Sequence, residues 1–267
     1  MTFDFAAIPA VVSAGILFAA GAWAQRRVES RICRWLVLSL GIAAAIPGTL
    51  ILLYYTHLFN TPAWFYAFRT APYTEVTICG LGWIVGYCCS LIDPQGTGEK
   101  AVWPLGLIVL TSIPFIKPIL DPIDLNSLRS SCPNNVCMQT TYSTCGPSSA
   151  ASILLALGQD ASEQSLAREA LTSKGGTELW HLARALRHRG FATGYSVESS
   201  VPTLFPAPAV AGVVLRGGAG HFIALVSRTG GQLTVVDPLK GKFTVSDDEL
   251  RTRYQFSGVF LLVCPKP

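Results

Sequence analysis

Four residues in the C-terminal half have types and an order that suit thiol chemistry, and the first two stand close together. Cys145 lies in "QTTYSTCGPSSAAS", directly before Gly-Pro and an apolar helical run, so we expect it at a helix N-terminus. The partial positive charge at that position favours the thiolate, which is the nucleophilic form of cysteine. Gln139 precedes it by six residues and carries an amide that can donate hydrogen bonds.

A nucleophilic cysteine needs a base, and the base needs a group that orients it. His221 opens an apolar strand after the glycine-rich "RGGAG", and Asp237 ends the next strand at "VVDP". A turn at "RTGGQ" pairs the two strands as a hairpin, which can bring these side chains together. The other histidines suit this role less well, because His57 lies at a membrane segment and we expect His181 and His188 on a solvated face. Each residue alone has an ordinary structural explanation, but the order Cys, His, Asp favours a cysteine hydrolase.

The elements around these residues indicate an α+β domain with an antiparallel sheet. Three helices are predicted first: "CGPSSAASILLALG", "SEQSLAREALTSK" with Ser162 as its cap, and "GTELWHLARALRHRG" with Thr177 as its cap. Four strands follow, at "AVAGVVL", "HFIALVS", "LTVVDP" and "GVFLLVC". Helices that precede a run of strands are typical of the α+β class.

The N-terminal half reads as a membrane domain. Of the 267 residues, half are hydrophobic and only 13% are charged, whereas soluble domains carry about 25% charged residues. Four apolar segments approach the length of a membrane span: about Phe5–Ala24, Trp35–His57, Val76–Ile92 and Ala101–Leu120. The last contains three prolines and a lysine, so it either crosses the membrane or forms a re-entrant or interfacial piece. We therefore predict a transmembrane helical domain at 1–122 and a soluble domain at 123–267.

The charges between the first two segments predict the orientation. Lys and Arg prefer short cytoplasmic loops, and four arginines stand in "QRRVESRICR": Arg26, Arg27, Arg31 and Arg34. The N-terminus and the aromatic loop 60–75 are then outside, and "DPQGTGEK" at 93–100 is inside. If the fourth segment crosses, the soluble domain is extracytoplasmic in an integral protein of a bacterial cytoplasmic membrane. If it does not cross, that domain is cytoplasmic.

Two glycines in the third segment predict close helix packing. Gly82 and Gly86 form a small-xxx-small pair in "CGLGWIVGYCC", a weak motif that lets helix backbones approach. We expect this packing within one chain rather than in a dimer.

The soluble half also resembles the bacteriocin-processing, or double-glycine leader, cysteine peptidases, which are papain-like domains often fused to peptide-exporting ABC transporters. The resemblance covers about Cys137–Val263 and includes "GGTELWHLARALRHRG", "PAPAVAGV", "GHFIALV" and "VVDPLKGK". It implies that Cys145 is the nucleophile and His221 the general base and acid. It also implies that Asp237 orients the imidazole, and that Gln139 and the backbone N–H of Cys145 form the oxyanion hole.

The resemblance implies a peptide or protein substrate and an export or assembly machine as a partner, whereas contact with the lipid bilayer is expected from the apolar segments of the N-terminal half. Two departures stand out, because Thr144 replaces an acidic residue frequent in the family and no GxxxxGK[ST] motif is present. A non-catalytic leader-binding module and a thiol acyl or peptidyl transferase are the alternative functions. We predict no cofactor, no metal and, in the absence of a basic footprint, no nucleic-acid partner.

Cys132 and Cys137 bracket "PNNV" just before Gln139. A disulfide between them suits an oxidising compartment, and two free thiols are the alternative. A zinc site is disfavoured because no second cysteine pair has ligand spacing.

Overall fold

The computed structural model describes residues 7–56, 60–92, 102–198 and 202–265. They divide into two compact units, one within Phe3–Thr61 and Pro72–Ile119, the other within Pro62–Ala71 and Leu120–Pro267. The predicted domain boundary at residue 122 stays a prediction; the compact units divide after Ile119, and the second unit also includes a segment from the first half of the chain.

Apolar helices make up the first unit. In chain order the helices of the first half are α1 (Ala7–Arg27), α2 (Arg31–Tyr54), α3 (Ala63–Thr70), α4 (Gly80–Ile92) and α5 (Val102–Leu120). A 3-10 helix at Thr74–Cys79 directly precedes α4, and α3 belongs to the second unit. Four segments are long and apolar enough to cross a membrane: α1, α2, Thr74–Ile92 and α5. The four predicted segments are thus confirmed as candidate spans. The predicted ends at Phe5, His57 and Ala101 and the predicted loop 93–100 lie outside the described residues.

The glycine pair packs α4 against α1 within the chain, as predicted. A Cβ atom at Gly82 would collide with the carbonyl oxygen of Ala14, and one at Gly86 with the carbonyl oxygen of Phe18. Only a residue without a side chain permits such a close approach of two backbones.

The second unit joins α3 to an α+β domain, which confirms the predicted fold class. Its helices are α6 (Cys145–Ala156), α7 (Glu163–Glu169), α8 (Leu179–His188) and α9 (Asp247–Arg253). Its strands are β1 (Phe191–Val197), β2 (Ala209–Val214), β3 (Gly220–Thr229), β4 (Gln232–Asp237), β5 (Gly241–Val245) and β6 (Gln255–Pro265). They form one antiparallel sheet in the order β1-β6-β2-β3-β4-β5. The order makes β3 and β4 the hairpin predicted from "RTGGQ".

The sheet has a hydrophobic core on each face. One core packs α6 and α8 against the sheet and includes Leu154, Leu186, Ala224 and Val236. The other core contains the intervening residues of the same strands, which pack with Phe205, Leu250 and Tyr254. Alternate strand residues point to opposite faces, so both faces of the central strands are apolar.

Two local predictions in this unit are wrong. Thr177 does not cap α8, because Glu178 precedes the helix without a side-chain cap and the Thr177 hydroxyl pairs with Thr172 at 2.8 Å. The face of α8 that carries His181 and His188 was predicted to be solvated. It is only partly so, because His188 is exposed but His181 is buried. Ser162 caps α7 as predicted, by accepting from the backbone N–H of Ser165.

Candidate active site

Cys145 is the first residue of α6, a helix of small side chains that lies deep in the domain. Its residues from Cys145 to Leu154 are all buried. Ser149 donates from Oγ to the carbonyl oxygen of Phe222, at 3.0 Å, and so fastens the helix to β3 beside His221. The first N–H groups of a helix have no partner within it, so this position presents the thiol together with unsatisfied backbone donors.

His221 and Asp237 meet where β3 begins and β4 ends, at one end of these two neighbouring strands. Nε2 of His221 lies 2.9 Å from Oδ1 of Asp237, and both side chains are almost completely buried. The side chain of Cys145 is close enough to the imidazole to contribute to raising its pKa. Because Nε2 faces the carboxylate, Nδ1 is the ring nitrogen available to the sulfur. The structure therefore brings together three of the four residues singled out from the sequence.

The electrostatics of this group favour a charged imidazole. Burial alone would lower the pKa of His221, but hydrogen bonds to Asp237 and Cys145 outweigh it and raise the pKa to about 9. Burial would likewise raise the pKa of Asp237, but hydrogen bonds from His221, Tyr254 and the Leu239 backbone lower it to about 2. The carboxylate is thus ionised at neutral pH and can stabilise an imidazolium.

Tyr254 completes the shell around Asp237, and no sequence signal indicated it. Its hydroxyl donates to Oδ2 of Asp237 at 2.5 Å, and burial and the neighbouring carboxylate raise the pKa of this phenol. The ammonium of Lys240 lies 4.5 Å from the centre of the Tyr254 ring and 3.7 Å from Oδ2. A single aromatic residue after α9 has no periodicity or motif, so only the fold reveals this contact.

Gln139 belongs to a loop that is fixed beside the His221–Asp237 pair. Its backbone N–H donates to the carbonyl oxygen of Pro238, the residue after Asp237, at 3.1 Å. Its side-chain Nε2 donates to the carbonyl oxygen of Thr141 at 2.8 Å, and its Oε1 is buried with no donor among the described residues. Thr144 closes the turn that leads to Cys145, since its hydroxyl bonds to the backbone of Thr141.

Glu163 supports the same loop from the start of α7. This carboxylate is fully buried. It accepts from the backbone N–H and the hydroxyl of Thr140, both at 2.6 Å, and from the backbone N–H of Arg129 at 3.0 Å. A buried carboxylate requires such donors, and here they fix the residue next to Gln139. In the sequence Glu163 resembles an ordinary acidic residue in a first helical turn.

An open cleft of about 1010 Å³ is lined by Tyr254 and Lys240, which contact Asp237, but not by Cys145, His221 or Asp237 themselves. The turn before β3, the β4–β5 turn and the end of α9 line it, and they contribute four cationic residues: Arg216, Lys240, Arg251 and Arg253. A polar cleft of this size can hold several residues of an extended peptide.

The two cysteines near the N-terminal start of the C-terminal domain form a disulfide. Cys132 and Cys137 are joined as a disulfide, and Cys137 is fully buried. No group of metal-ligating side chains occurs among residues 7–56, 60–92, 102–198 and 202–265.

With the thiol on a helix and the imidazole on a strand of an antiparallel sheet, this half of the chain falls in the class of papain-like cysteine peptidase domains. Residues 134–267, half of the chain, match the peptidase C39 family, and the chain belongs to that family. The resemblance seen in the sequence is thereby confirmed. No curated protein sequence matches the chain.

Several solved structures are similar to this half. The peptidase domain of Streptococcus ComA, described as a bi-functional ABC transporter involved in quorum sensing, is 20% identical, over 49% of this chain and 97% of that one, with a TM-score of 0.40. A double glycine motif protease from an AMS/PCAT transporter, in complex with the leader peptide, is 21% identical over 52% and 94%, also at 0.40. A peptidase C39-like domain of a toxin secretion ATP-binding protein from Vibrio parahaemolyticus is 18% identical over 42% and 93%, at 0.30.

Proposed function

We propose that this protein is a membrane-anchored cysteine endopeptidase that cleaves a peptide or protein substrate close to the bilayer, such as a leader peptide processed during export. The observation that carries the proposal is the buried His221–Asp237 pair within reach of the Cys145 thiol. Membership of the peptidase C39 family supports it.

The proposed reaction uses the residues in a fixed order. The Cys145 sulfur attacks the scissile carbonyl carbon while its proton resides on Nδ1 of His221. Negative charge develops on the carbonyl oxygen, and the backbone N–H of Cys145 stabilises it together with the second Nε2 hydrogen of Gln139, the one not donated to Thr141. The imidazolium then protonates the leaving amine, and water, activated by His221, releases the acyl group from sulfur. Asp237 holds the ring so that Nδ1 faces the thiol throughout.

We place the peptidase domain on the extracytoplasmic side. Arg26 and Arg27 end α1, and Arg31 and Arg34 begin α2, so the connection between these helices is expected in the cytoplasm. With the α1–α2 connection in the cytoplasm, the N-terminus is outside, and four crossings leave the soluble domain outside as well. The Cys132–Cys137 disulfide suits an oxidising compartment.

The test is product analysis with the full-length protein in detergent and a proteome-derived peptide library, read by mass spectrometry. Wild-type protein should generate new peptide termini, and Cys145→Ala should generate none. Iodoacetamide should label Cys145 before Cys264, the other free cysteine described in this unit, and Cys264→Ala is the matched control that keeps activity.

Each other outcome has a defined meaning. Cleavage that persists in Cys145→Ala would contradict the cysteine peptidase. Products joined to an added amine, without hydrolysis, would identify a transferase. Tight binding of peptides without either reaction would identify a leader-binding module.

A further inference from the structure

The short helix α3 lies in the connection between two candidate membrane spans, yet it is built into the peptidase unit. It follows α2 and precedes the span Thr74–Ile92. Pro62–Ala71 belong to the same compact unit as the C-terminal domain, and α3 packs on α8 and on the edge strand β1. Its inward side includes Phe65 and Arg69, which are 4% and 1% exposed.

Arg184 of α8 closes the C-terminal end of α3. Its guanidinium donates to three successive carbonyl oxygens, those of Arg69 at 2.5 Å, Thr70 at 3.3 Å and Ala71 at 2.9 Å. The last carbonyls of a helix have no partner within it, and a cation near them is favoured by the helix dipole. The peptidase domain thus supplies the cap that an isolated eight-residue helix lacks.

Tyr195 of β1 forms a second specific contact. Its ring stacks on Tyr66 with the ring centres 5.4 Å apart. Its hydroxyl lies 2.5 Å from Oγ1 of Thr70, and Oγ1 itself donates to the Tyr66 carbonyl, so the phenol must be the donor to Thr70. Burial raises the pKa of Tyr195 to about 12, which keeps this donor protonated.

Arg69 provides a third contact, because its guanidinium lies 4.4 Å from the centre of the Trp180 ring on α8. Trp180 is completely buried. A cation over the face of a desolvated tryptophan is a favourable arrangement. Three separate side-chain contacts therefore join the helix to α8 and β1.

We propose that α3 is a docking element that the membrane domain supplies to the peptidase domain, and that it holds this domain on the side of the membrane where the α2–α4 connection lies. Between α3 and the peptidase domain the chain passes through two candidate spans, Thr74–Ile92 and α5. These contacts can form only if both spans cross or neither does, and both are long and apolar enough to cross. The proline-containing α5 is therefore a full span.

The docking itself is tested by limited trypsin digestion of the full chain in detergent. Cleavage after Arg69 requires release of α3, so its rate reports undocking, and mass spectrometry measures the new terminus at Thr70. Arg184→Gln should accelerate this cleavage about tenfold or more, because three hydrogen bonds from a charged group are lost. Arg187→Gln is the matched control, since Arg187 lies on the same helix but bonds to Thr193 instead.

A second variant keeps the test valid if Arg184→Gln unfolds the domain. Tyr195→Phe retains the stacked ring and removes only the hydroxyl, and it should accelerate cleavage after Arg69 by about threefold to tenfold. Cleavage after Arg69 at the same rate in wild type, Arg184→Gln and Tyr195→Phe would overturn the docking.

The membrane side is tested by cysteine labelling, which requires no catalysis. In a background in which the six free cysteines are replaced, Trp64→Cys reports α3 and Tyr142→Cys reports the peptidase domain; these side chains are 57% and 93% exposed. A membrane-impermeant maleimide added to spheroplasts should label both positions or neither. Labelling of one position alone, with the other labelled only after lysis, would overturn the proposal.

Discussion

At the scale of single residues, the candidate site is organised around one fully buried carboxylate. Asp237 accepts hydrogen bonds from the His221 ring, the Tyr254 hydroxyl and the Leu239 backbone. Each hydrogen bond restricts the rotation of the Asp237 carboxylate or disfavours its protonation. The imidazole bound to it therefore has one orientation, in which Nδ1 faces the thiol. Preorganisation of this kind lowers the reorganisation needed during reaction.

The proposed role of Gln139 predicts a specific kinetic defect. Gln139→Ala should lower kcat by about 10²–10³, equivalent to about 2.7–4 kcal/mol, with little change in KM, because the contact strengthens as charge develops on the oxyanion. Gln164→Ala is the control, since Gln164 also bonds a backbone carbonyl, that of Leu125, but in another part of the domain. A change confined to KM would mean that Gln139 only binds substrate.

The raised pKa of His221 predicts a pH-dependent contribution to stability. The folded value of about 9 exceeds the unfolded value of about 6.5. The contribution, on the order of 3 kcal/mol, is therefore complete below about pH 6.5 and is lost as pH rises through about 9. The melting temperature of the full chain in detergent should show a gap between wild type and His221→Gln that narrows from pH 6 to pH 9.5.

His188→Gln is the control for this measurement, because His188 is exposed on α8 and should give no such pH-dependent gap. A gap between wild type and His221→Gln that is constant across the range would refute the raised pKa.

At the scale of secondary-structure elements, α7 links the stability of the domain to the position of the Gln139 loop. Glu163→Gln should lower the melting temperature and also kcat, because an amide offers one acceptor oxygen where the carboxylate receives three hydrogen bonds. Leaving a buried donor unsatisfied costs about 1–3 kcal/mol.

The matched control is Glu169→Gln at the other end of α7. Glu169 pairs with Arg189 at a partly exposed position, and such pairs contribute about 0–1 kcal/mol. Equal effects of the two substitutions would show that Glu163 has no special role.

The sequence predicted the central elements well and the peripheral ones poorly. The strands β2, β3, β4 and β6 are continuous apolar runs because both of their faces are covered. The strands β1, "FATGYSV", and β5, "GKFTV", form the two edges of the sheet and are largely half-buried or exposed. Their mixed composition gave no strand signal.

The residues of the candidate site likewise divide into those that local sequence patterns predicted and those that they did not. The spacing of Cys145, His221 and Asp237 follows from helix and strand ends that leave local patterns in the sequence. Tyr254 and Glu163 approach the site through long-range packing, and no neighbouring residue indicates either contact.

At the scale of the whole molecule, the orientation in the membrane determines which substrates the peptidase domain meets. A reporter that is active only outside the cytoplasm, fused after Pro267, should be active, because four crossings follow from the arginine-rich α1–α2 connection. As a control, the same reporter fused after Val28, in that connection, should be inactive. Activity of a cytoplasm-only reporter after Pro267 would instead indicate a cytoplasmic leader peptidase.

The position of α3 in the chain has a consequence for biosynthesis. The ribosome makes this helix before α4 and α5, whereas α8 and β1, which receive it, are made after them. Helix and acceptor can therefore meet in a chain whose third and fourth spans have both been inserted, but not in a chain in which only one of them has. Docking of α3 as proposed is thereby coupled to membrane insertion, and a molecule in which one of these two spans fails to insert would leave uncovered the surfaces of α8 and β1 that receive α3.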